Sequence, residues 1–381
     1  MLTDVKGFLV KNNEYFYLLF VLSIFGLMSI GQGSDYLIYR ILFPLAMVAL
    51  VIKFFSTSYT KREWFWMILI GGLLLVNLFA NHEKTLVLTF LAIIGAKNVN
   101  LEKVLKWALW ERVFLTVATI MMAATGVIEN TFTGGVTKFY QGIWQSVPLY
   151  CYGYAHPNHA FLDIFSIGVL CIMVYGKKLK WFHYVGLCAL MALAYQTFIC
   201  RTGMVSWIAC MVIMLGYAVA CFLSGKKPRI RKIYLYLVSL IPIYIEAFSI
   251  WGLWISKDSE QVPGTIAFRL NELFTGRFRS AAQCRDGFFR LLTGHVPRMG
   301  VDLGYIHLVY NYGWIIALAF LLGSVAMMWK LIHMEKDYLC IGYAVMCGYI
   351  IGEVTPLNVG WNITLILLAL ILFQGDKKIE R

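Results

Sequence analysis

The chain is 381 residues long, 60% hydrophobic and 16% aromatic, with 14% charged residues and a formal net charge of +13. That composition excludes both an ordinary soluble domain, which carries more charge, and a disordered chain, which carries fewer apolar residues. It fits helices that cross a bilayer, where each segment must satisfy its own backbone hydrogen bonds.

Apolar runs begin near residues 14, 35, 64, 85, 107, 158, 181, 203, 233, 308, 337 and 358. Runs of about 20 residues span a hydrocarbon core as helix, so the pattern predicts an all-α integral membrane protein of about twelve spans. The first run, Tyr15 to Ile30, has no small-residue cleavage site and is expected to stay as an anchor. No repeat, low-complexity tract or appended soluble domain interrupts the runs, which makes residues 1–381 one polytopic domain. The nine cysteines show no Cys-x-x-Cys or Cys/His metal spacing. Cys151 and Cys284 alone fall in polar outer segments, where a disulfide is chemically open to them.

Alternate connections are basic, with Lys6 and Lys11, Lys53 to Arg62, Lys97 to Lys106, Lys177 to Lys180, Lys226 to Lys232, Lys330 and Lys336, and Lys377 to Arg381. The positive-inside rule puts these in the cytoplasm together with both termini, and an even number of spans satisfies that parity. The other connections are then outer, and two are long: Glu129 to about Tyr154, and Ile255 to about His307.

The second long loop, 255–307, breaks the charge pattern. Arg269, Arg277, Arg279, Arg285, Arg290 and Arg298 all lie in it, against a single lysine, Lys257. The planar fork of arginine suits phosphate and carboxylate, which suggests an anionic ligand. Thr275 is the expected N-cap of an amphipathic helix that Gly294 and Pro297 stop, lying on the outer membrane surface. Such a helix serves equally to touch anionic headgroups or to wall a site for a phosphorylated lipid.

Further costly polar residues fall near the same face. Arg201 sits in the turn CRTG, Arg40 lies inside the outer end of the second span, and Asp163 is similarly placed in the sixth. YGYAHPNHAFLD packs His156, Asn158, His159 and Asp163 where the sixth span begins, a polar cluster suited to sugar hydroxyls and spaced wrongly for zinc. After the basic stretch come His295, Asp302 and His307, candidates for the general base of a glycosyl transfer. There is no Asp-x-Asp pattern, Walker loop or Gly-x-Gly-x-x-Gly, so a sugar donor would be lipid-linked rather than a nucleotide sugar, and neither metal nor other cofactor is expected.

The motifs GYAHPNHA, CRTGM, LFTGRF and MGVDLGYIHLVYNYG stand in that order. In this they resemble the O-antigen ligase and polymerase superfamily, most nearly the Wzy-type polymerases of capsular and exopolysaccharide systems, over roughly residues 100 to 360. The resemblance implies a metal-independent glycosyltransferase of the GT-C type in a bacterial cytoplasmic membrane. Its donor and acceptor would be polyprenyl-diphosphate-linked oligosaccharides, its partners the bilayer and the flippase and chain-length regulator of the same pathway, not nucleic acid. It maps the diphosphate-binding arginines onto Arg201 and Arg277 and the base onto His295 or His307; Arg279 and Arg40, outer cations by their place in the chain, are further candidates for diphosphate binding. The Arg-x10-Gly pattern of some members is missing from the outer loops. Two alternatives stay open: a ligase passing glycan to another acceptor, and a flippase or other transporter of lipid-linked oligosaccharide. Glu111, Arg112 and Glu246, which lie within spans, keep the transporter reading alive.

Overall fold

The computed structural model describes residues 2–29, 37–82, 84–130, 136–140, 143–147, 150–225, 228–259, 264–274, 276–282, 287–294 and 301–375. They form a helical bundle: α1 (Leu2–Lys11), α2 (Asn13–Ser29), α3 (Leu37–Phe55), α4 (Lys61–Asn81), α5 (Thr85–Gly95), α6 (Leu101–Ala124), α7 (Pro157–Tyr175), α8 (Trp181–Phe198), α9 (Arg201–Ser224), α10 (Arg229–Ser239), α11 (Ile241–Ser259), α12 (Ile266–Leu273), α13 (Arg277–Ala282), α14 (Gly304–His333), α15 (Asp337–Tyr349) and α16 (Ala369–Leu372). Between α6 and α7 lies a small antiparallel hairpin, β1 (Val136–Tyr140) with β2 (Ile143–Val147), a departure from a purely helical fold.

Among the described residues seven helical segments are long and apolar enough to cross a membrane: α3, α4, α6, α7, α9, α10 continued by α11, and α14. Each of the twelve apolar runs holds helix, but several are short. Residues 85–95 make an α-helix of 11 residues, roughly 16 Å at 1.5 Å per residue, and residues 363–372 make six residues of 3₁₀ helix running into four of α-helix, roughly 18 Å, so each is little more than half a hydrocarbon core. Burial separates the rest. In α7, 72% of the most apolar window is buried, in α4 only 17%, so α7 runs through the middle of the bundle and α4 along its rim. Rim helices turn large apolar side chains outward, among them Phe79, Phe114 and Phe222, which is the lipid-facing pattern of a membrane protein.

Three breaks shape the site. Pro242, which lacks an amide donor, stands just inside α11, and one turn residue, Leu240, interrupts the helix between α10 and α11. α14 kinks at Gly313, where φ is 84°. The third break is the largest: α15 ends at Tyr349, and residues 350–362 run irregularly through short 3₁₀ turns before the chain becomes helical again at Ile363. The amide of Gly304, at the start of α14, donates to the carbonyl of Ile350 at 3.0 Å, which ties this irregular stretch to the loop before α14.

The expected long surface helix is a shorter object. α13 covers six residues and ends at Ala282, and a 3₁₀ turn follows from Phe288 to Arg290. Gly287 sits before that turn at φ 89°, a left-handed value that glycine adopts freely and that helix cannot continue through. Phe278, Ala281 and Ala282 are buried, and Phe278 packs edge-on to Phe248 of α11 with ring centroids 6.2 Å apart. α13 is therefore docked on the bundle by its apolar face. Thr275, Cys284, Arg285, His295 and Arg298 lie outside the described residues.

Candidate functional site

Four connections that the charge pattern assigns to the outside meet at one carboxylate. The first contributes Asn158, at the start of α7, where Pro157 opens the helix and His156 is the N-cap. The His156 ring nitrogen Nδ1 accepts the Asn158 backbone amide at 3.1 Å, which fixes the helix start and with it the Asn158 side chain. Asn158 Nδ2 donates to Glu353 Oε1 at 2.8 Å.

The second connection is the α8–α9 turn. Ile199 takes a left-handed φ of 48°, a costly conformation for a β-branched residue that shortens the turn, so Arg201 and Thr202 begin α9 at once. Arg277, from the third connection, donates to Thr202 Oγ1 at 3.4 Å, to Glu353 Oε1 at 2.8 Å and to the carbonyl of Gly352. Glu353 and Gly352 belong to the irregular stretch after α15. A side chain at position 352 would meet Thr202 at 2.4 Å, so glycine is what lets the two connections close on each other.

Asp302, before α14, acts on this pair through its charge. Burial opposes the charge on Arg277, but Glu353 and Asp302 outweigh it and hold the guanidinium protonated. Burial pushes the Glu353 carboxyl above its ordinary range, with Arg277 pulling it down and Asp302 adding to the rise.

The structure thus brings together Asn158, Arg277 and Asp302, with Thr202 beside Arg201 and with His156 supporting Asn158. Arg201 is half-buried at the first turn of α9. The ring of His159 packs on Trp361 with centroids 4.6 Å apart, which places it against the same irregular stretch. His307 stands in the first turn of α14, where Nδ1 lies 3.2 Å from the carbonyl of Val301 and Nε2 lies 3.0 Å from Asn311 Nδ2. Both of its ring nitrogens face protein partners.

Other expected residues go elsewhere. Asp163 is fully buried in the bundle and paired with Arg112 of α6. Its other oxygen accepts from Tyr154 Oη at 3.0 Å, while Arg112 donates to the Gly360 carbonyl at 2.9 Å and lies over the Phe25 ring. Arg279 is exposed, its backbone amide donating to Asn271 Oδ1 at 2.7 Å, and Arg40 is exposed on α3, with no bond to the cluster among the described residues.

Sequence reading misses Glu353. The signal is nonetheless there, since IIGEVTPLNVGW holds one acidic residue in a connection between two apolar runs, beside a glycine and a proline that forbid regular helix. No group of three or more His, Cys, Asp or Glu side chains among the described residues is placed to hold a metal ion. Comparison with protein-family models, curated proteins and solved structures gives no match.

Proposed function

We propose that the chain is a polysaccharide polymerase of the Wzy type, a GT-C glycosyltransferase that joins polyprenyl-diphosphate-linked oligosaccharide repeat units at the outer face of a bacterial cytoplasmic membrane. The carrying observation is the meeting of Asn158, Thr202, Arg277 and Asp302. These residues come one each from the four motifs on which the family resemblance rests, though they are spread over 145 positions of sequence.

The chemistry of the cluster suits the reaction. Leaving diphosphate gathers negative charge in the transition state, and Arg201 and Arg277 supply fixed positive charge at the place where the outer connections meet. His156, Asn158 and His159 offer polar and aromatic surface for sugar. On this reading twelve segments cross or enter the membrane, both termini are cytoplasmic, and the flippase and chain-length regulator of the pathway are neighbours.

One observation favours a second reading, transport of the same lipid-linked units. Both carboxylate oxygens of Glu246 in α11 are buried without a partner among the described residues, as is one oxygen of Glu111 in α6, and such groups mark proton paths in transporters. The glycolipids of cells lacking the chain decide between them. Single repeat units accumulating on the outer leaflet support the polymerase, units held on the inner leaflet support the transporter, and an unchanged glycolipid and polymer profile sinks both.

A further inference from the structure

The sequence offers His295 or His307 as the proton acceptor, but the geometry points to another group. We infer that Glu353 is the general base of the glycosyl transfer, an assignment that rests on the polymerase reading. Its carboxylate stands at the centre of the four-motif cluster and receives two donors on a single oxygen, Asn158 Nδ2 and Arg277 Nη2, both at 2.8 Å from Oε1. Two donors from different elements fix the plane of the carboxylate. Among the described residues this leaves Oε2 as the oxygen that can take a proton. The side chain is 14% exposed, open enough for a substrate hydroxyl to reach and closed enough to exclude most water.

His295 lies outside the described residues, and the described competitors, His307 and Asp302, are worse placed. His307 has one ring nitrogen against the carbonyl of Val301 and the other against Asn311, whose backbone carbonyl is in turn held by Asn77 at 2.6 Å and Asn81 at 3.0 Å. It belongs to a knot joining α14 to α4. Asp302 is exposed, so it lacks the enclosure that Glu353 has. Among the described residues the charged and titratable groups facing Glu353 are Arg277 from α13, Asp302 from the loop before α14 and Tyr349 at the end of α15. Of these Arg277 lowers the proton affinity, while burial and Asp302 raise it, with burial the largest. A carboxylate made more basic in this way is a better proton acceptor near neutral pH.

In the step itself, the acceptor hydroxyl oxygen forms a bond to the anomeric carbon of the donor glycan as its proton passes to Glu353 Oε2. The bond from that carbon to the diphosphate oxygen breaks, and its electron pair leaves with the polyprenyl diphosphate beside Arg201 and Arg277. The proton then passes from Glu353 to water, which restores the carboxylate.

The test uses the full chain in lipid nanodiscs with a polyprenyl-diphosphate oligosaccharide as both donor and acceptor. Glu353→Gln keeps an oxygen that can accept from Asn158 and Arg277 but cannot take a proton. Its turnover is expected to fall on the order of 10²–10⁴-fold, the usual worth of a general base, while binding of the oligosaccharide changes by less than about threefold. In the wild type kcat/KM should rise with pH along a limb lying above the ordinary carboxylate range, because only the ionised form accepts a proton, and that limb should vanish in the Gln variant. Glu353→Asp retains a carboxylate and should exceed the Gln variant by about tenfold or more; equal loss in both marks a structural role and overturns the assignment. An active wild type with a Gln variant within about fivefold of it, or with the pH limb intact, overturns the role of Glu353 alone. A wild type inert toward lipid-linked units overturns the polymerase reading and the base together.

Discussion

Of the arginine–carboxylate pairs among the described residues, Arg112–Asp163 and Arg277–Glu353 are two that sequence alone does not tell apart. Arg112 and Asp163 lie in the middle of the bundle with both side chains 0% exposed, whereas Arg277 and Glu353 meet where outer connections converge, 15% and 14% exposed. The inner pair is closed by its surroundings: Tyr154 serves Asp163, and Gly360 and the Phe25 ring serve Arg112. The outer pair is built from two pieces of irregular chain and borders Arg201, Asp302 and the polar start of α7. A charge pair sealed in a low-dielectric core has no room for a ligand and acts as a bolt. One at a junction of loops can exchange partners with a substrate.

Breaking the inner bolt should have the largest effect. Asp163→Ala leaves the Arg112 guanidinium buried with one protein acceptor fewer, which costs about 3–5 kcal/mol and should show as a large fall in melting temperature in detergent. Replacing both partners with apolar residues, Arg112→Met with Asp163→Leu, should recover most of that loss. A single variant as stable as wild type would mean that the inner pair is not structural.

Next in size come the outer arginines, whose effect should fall on activity. Arg277→Ala and Arg201→Ala should each lower polymer synthesis by about 100-fold or more, the typical cost of removing one group that stabilises transition-state charge, while the protein still inserts. Arg277→Lys keeps the charge and loses the fork that reaches Glu353 and Gly352 together. One lost charge-assisted hydrogen bond, about 1.5–3 kcal/mol, predicts about a tenfold loss or more. Wild-type polymer from both alanine variants would remove the reason for calling this junction the site.

The same contrast shows how far the sequence could be read. Apolar helices are legible because a bilayer demands long apolar runs, and Arg201, Arg277, Asn158 and Asp302 stand out because polar residues are conspicuous where apolar chain surrounds them. Asp163 was equally conspicuous, but its partner Arg112 lies 51 positions away and periodicity gives no depth for either, so it was read with the outer cluster. Glu353 stayed hidden for a related reason. Gly352, Pro356 and Gly360 mark residues 350–362 as a connection between two apolar runs, but nothing in the sequence says that Asn158 and Arg277, 195 and 76 positions away, would converge on its one carboxylate. α5 is short because its apolar run closes at Gly95, ahead of the basic connection that Lys97 opens.

Gly352 gives a smaller effect that tests how tightly the outer connections close. In Gly352→Ala the new carbon would meet Thr202 at 2.4 Å, an overpacking worth about 1–3 kcal/mol that the α9 turn must absorb by moving. Thr202→Ala in that background removes the clashing atoms and should restore stability, read by thermal melting. If Gly352→Ala alone is neutral, the turn and the irregular stretch are looser than the Arg277 contacts imply.

The smallest effects belong to the arginines that stand apart from both pairs. Arg279 is exposed beside buried Phe278, and Arg40 is exposed on α3, so both side chains stand at the surface. Arg279→Ala and Arg40→Ala should change stability by no more than about 0.5 kcal/mol, as surface substitutions do. If their charge only meets anionic headgroups, both variants should polymerise at wild-type rates in anionic and in zwitterionic nanodiscs. A tenfold loss from Arg279→Ala alone, independent of lipid charge, would instead extend the anion site along α13, and the boundary drawn between the outer pair and the surface arginines would have to move.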